Sequence, residues 1–233
     1  MRTEDEEEIA KGKRAAACAA VAEVEDGMLV GLGSGTTAGF AITALGERVA
    51  AGLSVTTVAT SLVTGRAAEA AGLPVLPFDA LARVDLGIDG ADELDSQLRA
   101  IKGRGGALLR EKIIAAAADR MIAIVDRTKQ VAKLGQRPLP VEALPFASTF
   151  VCRRIEHLGA AVGLRMAGDF LFRTDQGNLV LDCRFGSIDD PRALASALSE
   201  IPGVLGHGLF LDEFDVAYVG ASDGVVRLTR VEP

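Results

Sequence analysis

Apolar residues follow two rhythms along the first 133 positions of this chain. Short runs of four or five apolar residues alternate with longer segments in which apolar residues return every three or four positions. The runs are typical of buried strands and the longer segments of amphipathic helices, so their alternation predicts βαβ units around a mainly parallel sheet. In chain order we predict the helix 9–24, the strand 28–32, the helix 38–50, the strand 55–59, the helix 64–71, the strands 74–77 and 84–88, the helix 108–118 and the strand 121–125. This part of the chain is expected to form a Rossmann-like, doubly wound α/β layer.

The rhythm changes after residue 136, where Pro138 and Pro140 indicate a hinge. The segments that follow are the strand 141–144, the helix 148–158, the strands 161–165 and 179–184, the helix 191–201 and the strand 205–211. This order predicts a split βαβ, ferredoxin-like α+β unit. The runs 216–219 and 225–229 predict a hairpin that returns to the first sheet. We therefore expect one domain of residues 1–134 with 207–233, and a smaller one of residues 135–206.

Composition narrows the classes of partner. The chain is 49% hydrophobic over 233 residues, but it has no uninterrupted apolar stretch of the roughly 18 residues that a membrane span needs, so we expect no membrane partner. The first eight residues are acidic, unlike the positive start of a secretory signal, which predicts a cytoplasmic protein. The net charge of -7 and the aromatic content of 4% argue against a nucleic-acid partner, which requires basic and stacking surfaces.

Cysteines and histidines give no sign of a metal site. Cys18, Cys152 and Cys183 are widely spaced and form no C-x-x-C pair, so we expect small core residues rather than disulfides or zinc ligands. His157 and His207 stand far apart, without a neighbouring ligand or triad pattern. We expect no metal ion.

A glycine-rich segment, Gly31-Leu32-Gly33-Ser34-Gly35-Thr36-Thr37, lies between a predicted strand and a predicted helix. Its glycines would let backbone N–H groups approach an anion, and the start of the helix adds partial positive charge. The segment matches neither the dinucleotide G-x-G-x-x-G pattern nor a Walker loop, and the hydroxyls of Ser34, Thr36 and Thr37 suit a terminal phosphate. The structural alternative is a tight turn with a Ser or Thr helix cap.

Two aspartates, a lysine and a glutamate are concentrated between residues 89 and 112. Asp89 and Asp92 would lie just beyond the end of the strand 84–88, where open α/β sheets place their ligands. Lys102 precedes a loop rich in glycine, and Glu111 follows at the start of a helix. In such a set, one side chain can transfer protons while another stabilises the charge that develops. The structural alternatives are a turn with a helix cap for the aspartates and pairing with the helix dipole for Glu111.

Further lysines could reach the same edge of the sheet. Lys129 follows the strand 121–125 and would therefore lie at the same edge of the sheet as the glycine-rich loop. This position favours contact with a phosphate over a free surface lysine. Lys11, Lys13 and Arg14 on the opening helix indicate a solvated basic face, from which one side chain could fold over the phosphate.

These segments together resemble the type A family of ribose-5-phosphate isomerases, from about Lys13 to Gly224. Residues 31–38 resemble the family's G-x-G-T-G-S-T-A loop, residues 89–93 its D-G-A-D-E, and residues 102–112 its K-G-x-G-A/G-A-L-x-R-E-K. Residues 126–130, 138–142 and 201–204 also agree with the family. Blocks in this order are specific to it.

The resemblance implies interconversion of D-ribose 5-phosphate and D-ribulose 5-phosphate in the non-oxidative pentose phosphate pathway, with no metal or organic cofactor. By this analogy Glu111 is the general base that acts through an enediolate, and Lys102 stabilises the oxyanion. Asp89 assists ring opening and moves protons between O1 and O2, while Asp92 orients the sugar hydroxyls and Lys102. The implied substrate-binding residues are Ser34, Gly35, Thr36, Thr37, Gly90, Ala91, Gly103, Arg104, Gly105, Lys129 and Lys13. Relatives are commonly homodimers or homotetramers.

Some positions depart from the family pattern, and two other functions remain open. Ser34 stands where the family more often has Thr, and Thr36 stands where it more often has Ser, so both hydroxyl groups are kept. Arg104 stands where some members have Gly, and Gly65 stands where polar or acidic residues are usual. A sugar-phosphate-sensing regulatory domain shares this kind of fold, but it should follow a helix-turn-helix segment. An acyl-CoA transferase-like enzyme would use a glutamate as a covalent nucleophile. The company of a lysine and an aspartate suits Glu111 better to proton transfer.

Overall fold

A computed structural model describes residues 2–230 of the chain. Its helices are α1 (Arg2–Val21), α2 (Thr36–Ala50), α3 (Leu62–Ala70), α4 (Leu108–Ala117), α5 (Ser148–His157) and α6 (Pro191–Ser199). Its strands are β1 (Leu29–Leu32), β2 (Thr56–Ala59), β3 (Leu86–Gly90), β4 (Glu93–Leu94), β5 (Ala100–Ile101), β6 (Met121–Asp126), β7 (Leu139–Ala143), β8 (Ala161–Leu164), β9 (Met166–Ala167), β10 (Phe170–Leu171), β11 (Leu179–Arg184), β12 (Val204–His207), β13 (Leu209–Phe210), β14 (Val216–Ala221) and β15 (Gly224–Thr229). Within the described residues, no helix combines the length and the apolar character needed to cross a membrane.

A six-stranded sheet carries the first half of the chain, in the order β15-β14-β6-β3-β1-β2. All neighbours are parallel except β14 and β15, which form an antiparallel hairpin. Strand β6 is buried on both faces: Ile122 and Ile124 join the apolar cluster of α1 and α2, while Ala123 and Val125 join the cluster of Phe214. Apolar cover on both faces confirms the predicted doubly wound layer, and the hairpin returns to this sheet as predicted.

Helix α1 crosses β14 at a point where two backbones almost touch. An added Cβ on Gly12 would lie 2.7 Å from the carbonyl oxygen of Gly220. A side chain larger than hydrogen would therefore push the helix off the sheet. This close approach sets the height at which the next residue, Lys13, stands above the sheet edge.

A four-stranded antiparallel sheet follows, in the order β12-β7-β11-β8, with α5 and α6 packed on it. Taken with the chain order, this is the split βαβ, ferredoxin-like arrangement that the sequence predicts. The division into domains at residues 134/135 and 206/207 stays a prediction.

Some predicted segments are wrong. The strand 205–211 is instead two strands in two sheets, because the chain turns at Gly208, whose N–H donates to the carbonyl of Pro140 at 2.8 Å. The predicted strand 74–77 pairs only through an isolated bridge between Val75 and Thr57, since prolines at both ends lack an N–H.

Cys18 is exposed, because it lies on the outer side of α1, and so is not the core residue that we expected. Cys152 is half-buried and Cys183 is buried.

Candidate active site

A cavity of about 480 Å³ opens at the edge of the large sheet where β1, β3 and β6 end. Parallel strands bring their carboxyl ends to one edge, so three loops that are distant in sequence meet here. The cavity is lined by Lys13, Ser34, Gly35, Thr36, Thr37, Gly90, Ala91, Asp92, Lys102, Gly103, Arg104, Gly105, Glu111 and Lys129. Every site residue named from the sequence lines this cavity except Asp89, which is fully buried and contacts Lys102.

Asp89 lies inside β3 and not beyond its end, so that part of the prediction is wrong. Parallel pairing with β6 continues one residue further, to Gly90. One carboxylate oxygen of Asp89 accepts backbone N–H groups from Ser34 at 3.2 Å and Gly90 at 2.7 Å. The same oxygen would lie 2.0 Å from a Cβ on Gly33, so the carboxylate packs directly against the glycine-rich loop.

Lys102 occupies the floor of the cavity between two carboxylates. Its Nζ lies 2.8 Å from Oδ2 of Asp89 and 3.5 Å from Oε2 of Glu111, and it donates to the carbonyl of Gly90 at 2.6 Å. Burial alone would lower the pKa of Lys102, but the charges of Asp89 and Glu111 outweigh it and raise the pKa. Lys102 therefore stays positively charged at neutral pH.

Glu111 faces the same cavity from the first turn of α4, with its side chain 4% exposed. Burial raises its pKa to about 8, Lys102 opposes that shift, and the charges of Asp89 and Asp92 add to it. Oε2 of Glu111 has no hydrogen-bond partner among residues 2–230. A buried carboxyl group with a raised pKa is a stronger base when it ionises.

The glycine-rich loop leads into α2, whose first turn has no side-chain cap. Gly35 precedes the helix with φ +97°, a conformation that favours glycine, and it leaves the first N–H groups available to an anion. Nζ of Lys13 donates to Oγ1 of Thr36 at 3.1 Å. Burial and then Arg137 lower the pKa of the half-buried Lys129. Two lysines and a helix N-terminus therefore surround one end of the cavity.

Hydroxyl groups that were not predicted from the sequence lie beneath this loop. Oγ of Ser34 lies 2.8 Å from Oγ1 of Thr60, 3.1 Å from Oγ of Ser61 and 3.0 Å from Oγ1 of Thr64. These contacts fix the Ser34 side chain against β2 and α3. Ser61 also caps α3 by accepting the N–H of Thr64, and this S-x-x-T spacing is the signal that could have revealed the contact.

The second missed residue is Arg165, which ties the loop after Lys102 to the small antiparallel sheet. Nη1 of Arg165 donates to the carbonyls of Gly103 and Arg104, each at 2.8 Å, while its guanidinium pairs with Asp182. The N–H of Arg104 in turn donates to Oδ2 of Asp92 at 3.0 Å. Since Arg165 lies 62 residues from Gly103, no local pattern could have predicted the connection.

The two histidines lie outside the cavity lining. Burial lowers the pKa of His207 to about 4, and His157 lies at the exposed end of α5. Among the side chains that the structure describes, those of His, Cys, Asp and Glu form no group that could hold a metal ion.

A buried carboxyl group with a raised pKa, a lysine held by two carboxylates and an uncapped helix start meet at one cavity, and together they indicate a class of protein. They are the parts of an α/β enzyme that moves protons on a small phosphorylated carbonyl compound. The family model for ribose 5-phosphate isomerase A, also called phosphoriboisomerase A, matches residues 56–224. The chain belongs to this family, as the sequence resemblance predicts.

Individual relatives agree over nearly the whole length. The ribose-5-phosphate isomerase A of Sphingopyxis alaskensis is 54% identical over 213 residues, which cover 91% of this chain and 93% of that protein. The structure of ribose 5-phosphate isomerase A from Methanocaldococcus jannaschii superposes with a TM-score of 0.89 at 36% identity, over 93% of this chain and 97% of the other. A D-ribose-5-phosphate isomerase structure in complex with phospho-erythronic acid gives a TM-score of 0.90 at 38% identity, over 94% and 97% of the two chains.

Proposed function

We propose that this chain interconverts D-ribose 5-phosphate and D-ribulose 5-phosphate by moving a proton between C2 and C1 through an enediolate. The family assigns the aldose-ketose isomerisation of the pentose phosphate pathway. The observation that carries the mechanism is the position of Lys102 between Asp89 and Glu111 on the floor of an anion-binding cavity.

Glu111 is the general base in this proposal. A proton next to a carbonyl is only weakly acidic, so its removal requires a base fixed beside the carbon. The pKa of about 8 gives the Glu111 carboxylate more basicity than an exposed glutamate has. After taking the C2 proton of the open-chain aldose, the protonated carboxyl group can return it at C1.

Lys102 stabilises the oxyanion that forms when the proton leaves. Its charge is held by Asp89 and by the carbonyl of Gly90, so little reorganisation is needed during the reaction. Asp89 assists ring opening and the movement of protons between O1 and O2. Asp92, fixed by the N–H of Arg104, orients the sugar hydroxyls.

The phosphate lies at the other end of the cavity in this proposal. The uncapped first turn of α2 offers N–H groups, and Lys13 and Lys129 offer positive charge. Gly90, Ala91, Gly103 and Gly105 would complete the wall that holds the sugar. The reaction uses no cofactor. A homodimer or homotetramer stays our prediction. A cytoplasmic location also stays our prediction, and the family's role in the metabolism of phosphorylated sugars supports it.

The first test is turnover of ribose 5-phosphate by the purified chain in the presence of a chelator. We expect ribulose 5-phosphate to form, and Glu111→Gln to abolish most of the rate. Glu156→Gln is the matched control, because Glu156 is exposed on α5 and is not part of the cavity lining. Binding of a pentose phosphate without turnover would overturn the proposal and favour a sugar-phosphate sensor. Equal rates for Glu111→Gln and the intact chain would overturn the role of Glu111.

A further inference from the structure

A second cavity, of about 380 Å³, opens beside the active-site cavity and shares part of its wall. Asp92 and Arg104 line both cavities. The charged side chains around the second cavity are four arginines and two aspartates, namely Arg104, Arg137, Arg165, Arg184, Asp92 and Asp182. A chain of net charge -7 has thus gathered a local excess of positive charge next to its active site.

Three of these four arginines have no ion-pair partner among the described residues. Asp182 is paired with Arg165, whose guanidinium is also occupied by two carbonyl groups. The guanidinium groups of Arg104, Arg137 and Arg184 have no carboxylate within 4 Å in the part of the chain that the structure describes. Unpaired arginines that line a concave surface attract anions and can bind phosphate or carboxylate groups through two parallel hydrogen bonds.

The backbone that carries these arginines is fixed. The buried carboxylate of Glu93 accepts the N–H groups of Gly135, at 2.7 Å, and of Arg137. Gly135 packs so closely that an added Cβ would lie 1.9 Å from the carbonyl oxygen of Gly186. Arg184 ends β11, where it pairs with Ala161 of β8. Because the supports are rigid, binding an anion requires ordering of the arginine side chains only.

We infer that this cavity is a second anion site, which takes a phosphate or carboxylate group while the active-site cavity holds a sugar 5-phosphate. The ligand class is a phosphorylated sugar or polyol with a second anionic group at its far end. The inference rests on the proposed function for the first phosphate. The shared wall of Asp92 and Arg104 means that one such molecule can reach both cavities and compete with the substrate.

The test compares two unreactive polyols that differ only in one phosphate, ribitol 5-phosphate and ribitol 1,5-bisphosphate. Calorimetric titration at constant ionic strength measures their affinities for the intact chain and for the double variant Arg137→Gln/Arg184→Gln. We expect the intact chain to bind the bisphosphate at least tenfold more tightly, and the double variant to reduce that preference to less than twofold. The matched control is Arg153→Gln/Arg154→Gln, which removes the same charge from the exposed face of α5 and should keep the preference.

A further titration tests whether the second site binds free phosphate or only a phosphate group that is attached to the polyol. Inorganic phosphate is added to protein that is saturated with ribitol 5-phosphate. Binding to the intact chain but not to the double variant would assign the site to free phosphate as well. Equal affinities for the two polyols, together with no binding of inorganic phosphate, would overturn the inference. These measurements record binding alone. A lack of isomerase turnover would therefore refute the proposed function, but the affinities would still show whether the second anion site exists.

Discussion

Replacing Glu111 by Gln should make the protein more stable at pH 8 as well as inactive. Burial raises the pKa of this carboxyl group from 4.5 to about 8, with Lys102 opposing and the two aspartates adding to the shift. The folded pKa is higher than the unfolded one. The stability that follows from this difference is therefore fully present below pH 4.5 and is lost as the pH rises toward 8.

The size of the loss follows from the two pKa values. Each unit of difference corresponds to about 1.36 kcal/mol. At pH 5 the unfolded chain has already released about three quarters of this proton and the folded protein almost none, and by pH 8 the folded protein has released only about half of it. Summed from pH 5 to pH 8, this difference costs the folded state about 3 kcal/mol. Gln keeps the shape of the side chain and has no proton to release. A difference of about 3 kcal/mol moves Tm by roughly 6 to 12 °C in a protein of this size.

Thermal unfolding of the intact chain, Glu111→Gln and Glu156→Gln at pH 5 and pH 8 checks this expectation. The advantage of Glu111→Gln over the other two proteins should be larger at pH 8 than at pH 5. Its kcat should fall by about a thousandfold, as expected for loss of a general base. An equal stability difference at the two pH values would refute the reasoning, because it would mean that Glu111 ionises in the fold as it does in water.

Other variants probe the loop, the phosphate end and the connection to the small sheet. Gly33→Ala should lower kcat about a hundredfold, because the new Cβ displaces the carboxylate of Asp89. The control Gly39→Ala places its Cβ in open space and should keep full activity. Equal rates for the two variants would contradict the close packing of Gly33 against Asp89. Lys13→Ala should raise KM about tenfold with kcat little changed, and a fall in kcat alone would contradict a phosphate contact. Arg165→Lys has three N–H donors in place of the four hydrogen bonds that the guanidinium makes to Asp182 and two carbonyls, so kcat/KM should fall about tenfold. An unchanged value would show that the loop holds its position without this residue.

The sequence predicts that these residues lie together, because their segments follow the ends of neighbouring strands. Each of the segments after β1, β3 and β6 contains its own functional residues, and parallel pairing alone brings the three segments together. What the sequence could not predict depends on contacts between distant segments. The burial of Asp89 requires β6 alongside it, and the tie from Arg165 to the Gly103 carbonyl requires the small sheet to be in place.

The wrong predictions about the fold also result from contacts between distant segments. Residues 205–211 are apolar enough for one strand, but Gly208 passes the backbone of Lys102 so closely that an added Cβ would lie 2.2 Å from its carbonyl oxygen. The chain therefore leaves one sheet and enters another at that glycine. The periodicity of a single segment contains no information about such a neighbour.

The close approach of Gly12 to Gly220 has a consequence for how the protein forms. Helix α1, which carries Lys13, rests on β14, a strand that follows it by about 200 residues, and this contact helps to hold Lys13 in the cavity. During synthesis α1 must therefore wait until the chain has passed residue 221 before it can dock in its final place. Contacts between such distant segments form slowly, and we expect the phosphate end of the site to be among the last parts of the molecule to become ordered.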